Sequence, residues 1–341
     1  MIKYFIIALT ILSFFSCEKV LIAEDPANTP TEVFNYLWQQ MDEKYSYFDY
    51  KRVNWDSVKT VYSSKINDNL TDDELFAILF KMMCEVRDNH TNLISPFNIS
   101  RYTDKYPIPR YNFEWRIIKN KYIGNDYLIT GSLYNNWLLN TDKKIGYIYY
   151  SSFADPIDDY SLDYVLNRFS TADGLIIDVR NNGGGSPTYI FKILSRIVPD
   201  KRMVYKSRMK IGTGHNDFGE SLYVYAEPDG YYRFTKKIIV LTNKNSYSAT
   251  SYFATATKAY ENIILIGDST GGGLGAPTGG ELPNGWTFRF SASQTSVNSY
   301  STWDHTDVFE DGVPPDIYVT FTDDDYANEN DPIIERAIEE I

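Results

Sequence analysis

The stretch "GLIIDVRNNGGGSPTYIFKILSRIV", residues 174–198, constrains this chain more than any other. Its apolar run, Leu175 to Val179, is bounded by glycine, the pattern of a strand buried on both faces. Gly183, Gly184 and Gly185 follow, so the backbone can turn there and bring its N–H groups close to a ligand. A proline then opens a helix over 187–198. Strand, turn and helix recur in "KIIVLTN", "ATSYFATATKAYEN" and the third strand "IILIG". This alternation predicts an α/β fold with a parallel sheet and right-handed crossover helices.

Upstream, the period changes to that of helices. "TEVFNYLWQQM" places Val33, Phe34, Leu37 and Met41 on one stripe. Asn54 caps a second helix, with Val58, Val61 and Tyr62 behind it. "TDDELFAILFKMMCEV" opens with a capping box, Thr71 to Glu74, and continues through Leu75, Ile78, Leu79 and Met82. It stops at "RDNHT", which puts His90 just past a helix C-terminus, where an imidazolium is favoured. Residues 31–94 are therefore expected as an N-terminal helical subdomain. Residues 95–144 are expected as a strand-rich connecting segment, with alternation in "YNFEWRI" and "YLITG". Residues 145–341 form the core, closed by the amphipathic "DPIIERAIEEI".

The first residues, "MIKYFIIALTILSFFSCEK", read as an export signal over 1–16. Lys3 supplies the positive end, and Tyr4 to Phe15 is too short to span a bilayer, which takes about 20 residues. Ser16-Cys17 resembles a bacterial lipobox, which implies cleavage before Cys17, lipidation of its thiol and a tether over 17–30. The expected location is the cell envelope, lipid-anchored to a membrane. Cys84 is then the only other cysteine, so neither a disulfide framework nor a cysteine metal site is expected. The net charge of −12 repels phosphate backbones and argues against nucleic acid as a partner.

Sites in parallel sheets form beyond the carboxyl ends of strands. One such end carries the glycine triplet. Another carries "NSYSATSYF", which crowds Ser246, Tyr247, Ser248, Thr250, Ser251 and Tyr252 ahead of a helix. Donors from one loop and a nucleophile from the other suit a developing oxyanion. No cofactor and no metal are expected. "GGGLGA" fits Gly-x-Gly-x-x-Ala, but Pro277 follows instead of a helix. No spacing suggests zinc, "TDDDYANEND" lacks the glycine and terminal glutamate of a calcium loop, and Ser248 lacks the Gly-x-Ser-x-Gly frame.

"GLIIDVRNNGGG" followed by "VLTNKNSYSATS" resembles the S41 peptidases, the carboxyl-terminal processing and tricorn-core family. "LFAILFKMMCEVRDNHTNL" and "FEDGVPPDI" are similar to it as well, and the resemblance covers roughly residues 30 to 320. It implies a ClpP/crotonase-like core and a serine-type peptidase acting on peptide or protein substrates through an acyl-enzyme. The family's Asn-x-x-Ser-x-Ser-Ala-Ser-Glu falls on Asn243, Ser246, Ser248 and Ala249, with Thr250-Ser251 where Ser-Glu is usual. Ser248 takes the nucleophile's place. One branch of the family uses a lysine base, which aligns with Gly273, and no lysine occurs after Lys258. The tricorn-like branch uses histidine and glutamate. His90 in "RDNHT" matches that histidine, and Glu310 in "FEDGVPPDI" matches the glutamate. The family's intervening serine is replaced by Asn89, with Thr91 as a substitute hydroxyl. His215 and His305 are the remaining histidines. The oxyanion donors carry over as the N–H groups of Ala249 and of Gly184, with Gly185 second. Members often carry a PDZ domain, and 95–144 is too short to hold one. A non-catalytic ligand- or peptide-binding lipoprotein on the same fold is the alternative, since the family includes retinoid-binding repeats. A crotonase-type acyl-CoA enzyme would need an intracellular location, against the export signal.

Overall fold

The computed structural model describes residues 27–102, 112–297, 303–304 and 307–341; the signal, Cys17, most of the tether and His305 lie outside them. The central element is a seven-stranded sheet. Its parallel part is β4 (Ile145–Tyr150), β5 (Gly174–Asp178), β8 (Lys237–Thr242), β9 (Ile263–Gly267) and β13 (Ile317–Tyr318), paired in that spatial order. Both faces are covered, as the unbroken apolar runs require. Leu175, Ile177, Ile238 and Val240 meet α4 (Asp159–Arg168), α5 (Pro187–Ile197) and α6 (Ala249–Thr257) on one face. Ile176, Ile239, Leu241 and Ile266 face the other way, toward α7 (Pro332–Glu340). Each such fully buried side chain contributes about 1.5–3 kcal/mol. The α/β class read from the alternation is the observed one.

The sheet continues antiparallel beyond β4 through β3 (Leu133–Trp137) and β2 (Leu128–Thr130), so residues 128–137 belong to the core's own sheet. The strand reading of "YNFEWRI" is corrected. Trp115–Ile117 is helical and runs into a π-helix, Ile118–Ile123. The alternation there is overridden by packing: Phe113 and Trp115 lie on Tyr149, with ring centroids 5.1 and 5.2 Å away. Ile117, Ile118, Tyr122 and Ile123 cover the second face of the sheet.

The N-terminal helices are α1 (Pro30–Lys44), α2 (Trp55–Ser63) and α3 (Asp72–Cys84). The capping box at Thr71 and the Asn54 cap are both present. On α2 the expected stripe is shifted: Trp55 and Tyr62 are buried, whereas Val61 is 52% exposed. The reason is the Trp38–Trp55 stack, which turns α2 toward α1. Cys84 is partly buried. These helices pack on β11 (Thr287–Ser291), which pairs with β1 (Asn92–Ile94) and β10 (Pro277–Glu281). The chain then crosses at Ala292 into β12 (Ser293–Ser296), which joins β6 (Arg202–Met209) and β7 (Leu222–Ala226). Ser46, just past α1, clamps this crossing: its Oγ donates to Ser293 O at 2.8 Å, and its carbonyl accepts from Gln294 Nε2 at 2.6 Å.

The chain's last helix is fixed by a buried ion triad. Arg180 reaches Asp178 at 2.6 Å and Asp331 at 2.9 Å, with all three side chains fully buried. Burial alone disfavours the guanidinium's charge, and the two carboxylates more than offset it, so its pKa is raised. Asp331 also caps α7 by accepting from Ile333 and Ile334 N–H. Arg180→Ala would strand two buried carboxylates. The expected loss is about 3–5 kcal/mol of unfolding free energy in urea titration; a loss below about 1 kcal/mol would show that the triad does not hold α7.

Candidate active site

β5 and β8 are parallel neighbours, with Asp178 opposite Leu241, so the glycine loop and the hydroxyl loop leave the same edge of the sheet side by side. The side chain of Asn182, fully buried, ties them together. Its Oδ1 accepts from Gly184 N at 3.0 Å, Phe153 N at 3.2 Å and Thr250 Oγ1 at 2.8 Å. Its Nδ2 donates to Tyr150 O at 2.9 Å, and its backbone carbonyl accepts from Tyr247 N at 3.0 Å. Asn243 Nδ2 donates to Asn181 Oδ1 at 2.8 Å, and Ser246 Oγ donates to Val179 O at 2.8 Å. Ser246 and Thr250 are thus loop fasteners. Gly184 has to be glycine: its φ is +97°, and a Cβ there would lie 2.6 Å from Tyr247 O.

Ser248 stands between β8 and α6 at φ 56°, ψ −117°, a backbone conformation that non-glycine residues rarely adopt. Its N–H donates to Gly272 O at 2.9 Å, and its carbonyl accepts from Tyr252 N at 3.0 Å. Its side chain caps no helix N–H. The turn frees Oγ for the cavity, the same mechanics as a strained strand-to-helix elbow, without that motif's glycines.

His90 Nε2 lies 3.0 Å from Ser248 Oγ. His90 is 4% exposed, and its ring packs edge-on against Tyr247 at 5.0 Å between centroids. The expected helix effect is corrected: α3 ends at Cys84, so His90 lies beyond the last turn, where a helix terminus acts. Asp88 places it instead. Asp88 Oδ1 accepts from His90 N at 2.7 Å, Oδ2 accepts from Ser291 Oγ at 2.8 Å, and the carbonyl accepts from Thr91 N at 3.1 Å. Asn89 is half-buried. Thr91 is buried, and its hydroxyl makes no hydrogen bond among the described residues, so the substitute link through Thr91 is not formed here.

Glu310 is 1% exposed. Its Oε2 accepts from Leu274 N at 2.7 Å, and its carbonyl accepts from Gly273 N at 3.0 Å. Burial, and then the charges of Asp88 and Glu310, push the hydroxyl of Tyr45 far up; burial and Glu310 do the same to Tyr47. Tyr252, pushed to about 12 chiefly by burial, also feels Glu310. His215 is remote in role: its Nε2 bonds Asp42 Oδ1 at 2.7 Å and holds the β6–β7 loop to α1. Gly273, where a lysine base would align, has φ +78°, and a Cβ there would sit 2.5 Å from the Tyr247 ring. A side chain at that position would have to displace the Tyr247 ring.

Ser248, His90, Ala249 and the glycine triplet line one cavity of about 670 Å³. Tyr205 and Val224 from the β6–β7 sheet form its apolar wall with Pro187 and Tyr252, and Arg289 lies on it as well. Tyr205, Val224 and Arg289 carried no local signal in the sequence; Asp88 lay inside "RDNHT", but its contact with Ser291 did not show there. Asn182 lay inside the glycine motif, but its role as a clasp depends on a partner loop.

The model of peptidase family S41 matches residues 144–319, and that of the tricorn protease C1 domain matches residues 26–84. A tricorn protease of Thermoplasma volcanium is 28% identical over 208 residues, which are 58% of this chain and 17% of that protein. The tail-specific protease of Haemophilus influenzae is 29% identical over 101 residues, 30% of this chain and 13% of that protein. The chain thus spans a small part of the curated relatives it matches. A solved candidate peptidase of Parabacteroides merdae is 41% identical with a TM-score of 0.85, covering 92% of this chain and 96% of that one. Mature CPAF, at 12% identity and a TM-score of 0.68 over 91% of this chain and 95% of that one, shares the fold.

Asn182→Ala would strand several buried partners, each costing about 1–3 kcal/mol. Thermal unfolding should shift down, and reactivity at Ser248 should fall with it. An unchanged melting temperature would mean that the clasp is dispensable.

Proposed function

Because the chain belongs to peptidase family S41, we propose that it is a serine peptidase in which Ser248 is the nucleophile and His90 the general base. The observation that carries this reading is the 3.0 Å approach of His90 Nε2 to Ser248 Oγ. That is hydrogen-bond reach for proton transfer. Ser248 Oγ attacks the carbonyl carbon of a peptide bond, and its proton passes to Nε2. The charge on the tetrahedral oxygen is met by the N–H of Ala249, the first residue of α6 and so without an intrahelical acceptor. Gly185 supplies the second donor in preference to Gly184, whose N–H is already committed to Asn182. The intermediate collapses as His90 returns its proton to the leaving amine. Water then hydrolyses the acyl-enzyme by the same path in reverse. Glu310 contributes a buried negative charge that stabilises the imidazolium formed in both steps.

The substrate on this reading is a peptide or protein, held between the loops and the β6–β7 wall. The export-like pattern over 1–16 and the lipobox-like Ser16-Cys17 support, on this reading, a location at a bacterial cell envelope with a lipid anchor at Cys17. Palmitate incorporation in a bacterial host should be present in the full-length protein and absent in Cys17→Ser; equal incorporation would remove the anchor.

A fluorophosphonate probe should label the folded protein at Ser248, and Ser248→Ala should abolish the label. His90→Ala should slow labelling by about 10²–10⁴-fold, the range for a general base. Adding Gly273→Lys to His90→Ala should not restore it, because the Tyr247 ring fills the space a lysine needs. Labelling that survives Ser248→Ala would sink the proposal.

A further inference from the structure

Arg289 lines the same cavity as Ser248 and His90. Its cross-strand neighbours, which share its face of the sheet, are Asn92 on β1 and Gly279 on β10. Asn92 Nδ2 is committed to Ser100 O at 3.1 Å, and Gly279 has no side chain to cover the guanidinium. Arg289 is exposed, and among the described residues it makes no hydrogen bond and no ion pair. Other arginines of the chain behave differently: Arg180, Arg196 and Arg202 each grip carboxylates. Among the described residues that line the cavity there is no aspartate or glutamate, although the chain carries a net charge of −12. The cleft is therefore a cationic recess in an acidic protein.

Building on the peptidase reading, we propose that Arg289 is a specificity residue that selects peptides bearing a carboxylate near the bond to be cut. A guanidinium presents a planar fork of donors that matches a carboxylate in two parallel hydrogen bonds. No acceptor among the described residues occupies that fork, so an incoming carboxylate need not displace one of them. The absence of acids from the lining spares such a ligand the repulsion it would meet elsewhere on the surface. The cavity, about 670 Å³, lies within the usual range of ligand sites, so one peptide can contact both Ser248 and Arg289. The carboxylate belongs either to the peptide's own C-terminus or to an aspartate or glutamate side chain.

Binding to Ser248→Ala protein tests this without turnover, and so independently of whether the wild type is a peptidase; labelling of the wild type reports on that separately. The probes are four fluorescein-tagged hexapeptide libraries on an otherwise uncharged background: free C-terminus, C-amidated, amidated with one Glu, and amidated with Gln in its place. A carboxylate-bearing library should bind about ten- to a hundredfold more tightly than its neutral counterpart by anisotropy. Adding Arg289→Ala or the uncharged Arg289→Gln should erase that difference, with circular dichroism confirming the fold. The free-terminus library winning assigns the carboxylate to the chain end; the Glu library winning assigns it to a side chain. Equal binding of all four, binding of none, or a preference that survives both substitutions overturns the proposal.

Discussion

One buried amide, that of Asn182, holds together the two loops on which the site is built. It joins the glycine loop, the hydroxyl loop and the strand end at Tyr150 through both its side chain and its carbonyl. In a water-free setting each of these bonds is costly to leave unmade, so the arrangement is set cooperatively. The strained backbone of Ser248 depends on it. A residue at φ 56°, ψ −117° costs about 1–3 kcal/mol and persists only where the surroundings over-determine it. Gly272 O, Tyr252 N and the Asn182 clasp supply that constraint.

The core alone does not complete the site. His90 comes from the helical subdomain, 158 residues from Ser248 in sequence, and reaches it because that subdomain is fastened to β11 and β12. Ser46 clamps the strand crossing, Asp88 takes the Ser291 hydroxyl, and Lys51 pairs with Asp311 beside Glu310 at 2.5 Å. His90, the Asp88 that places it and the buried Glu310 are therefore linked through one interface. Loosening that interface would separate histidine from serine while leaving the parallel sheet intact.

Tyr247 serves several of these constraints. Its N–H joins the clasp, its ring braces His90, and the same ring fills the space beside Gly273 where a lysine base would have to stand. A side chain at position 273 thus meets a steric obstacle, and no lysine follows Lys258 in the sequence. No carboxylate is among the described residues of the cavity lining, which leaves Arg289 as a local exception to the overall charge.

The sequence alone determined the parallel core, because strands buried on both faces must be apolar throughout and the helices between them must keep their own period. Caps at Asn54 and Thr71 were legible for the same reason: each is a local pattern. Ser248 and His90 were singled out through the family resemblance, and the structure brings their side chains together. The helical turn at Trp115 was not, since stacking on Tyr149 outweighs a weak strand alternation. Nor was the holding of His90 by Asp88, the engagement of the Gly184 N–H by Asn182, the burial of Glu310 or the exposure of Arg289. Those depend on which atoms arrive from distant segments, and in what direction their hydrogen bonds point. Tertiary structure alone decided them, because a one-dimensional pattern carries the preference of a residue but not the identity of its partner.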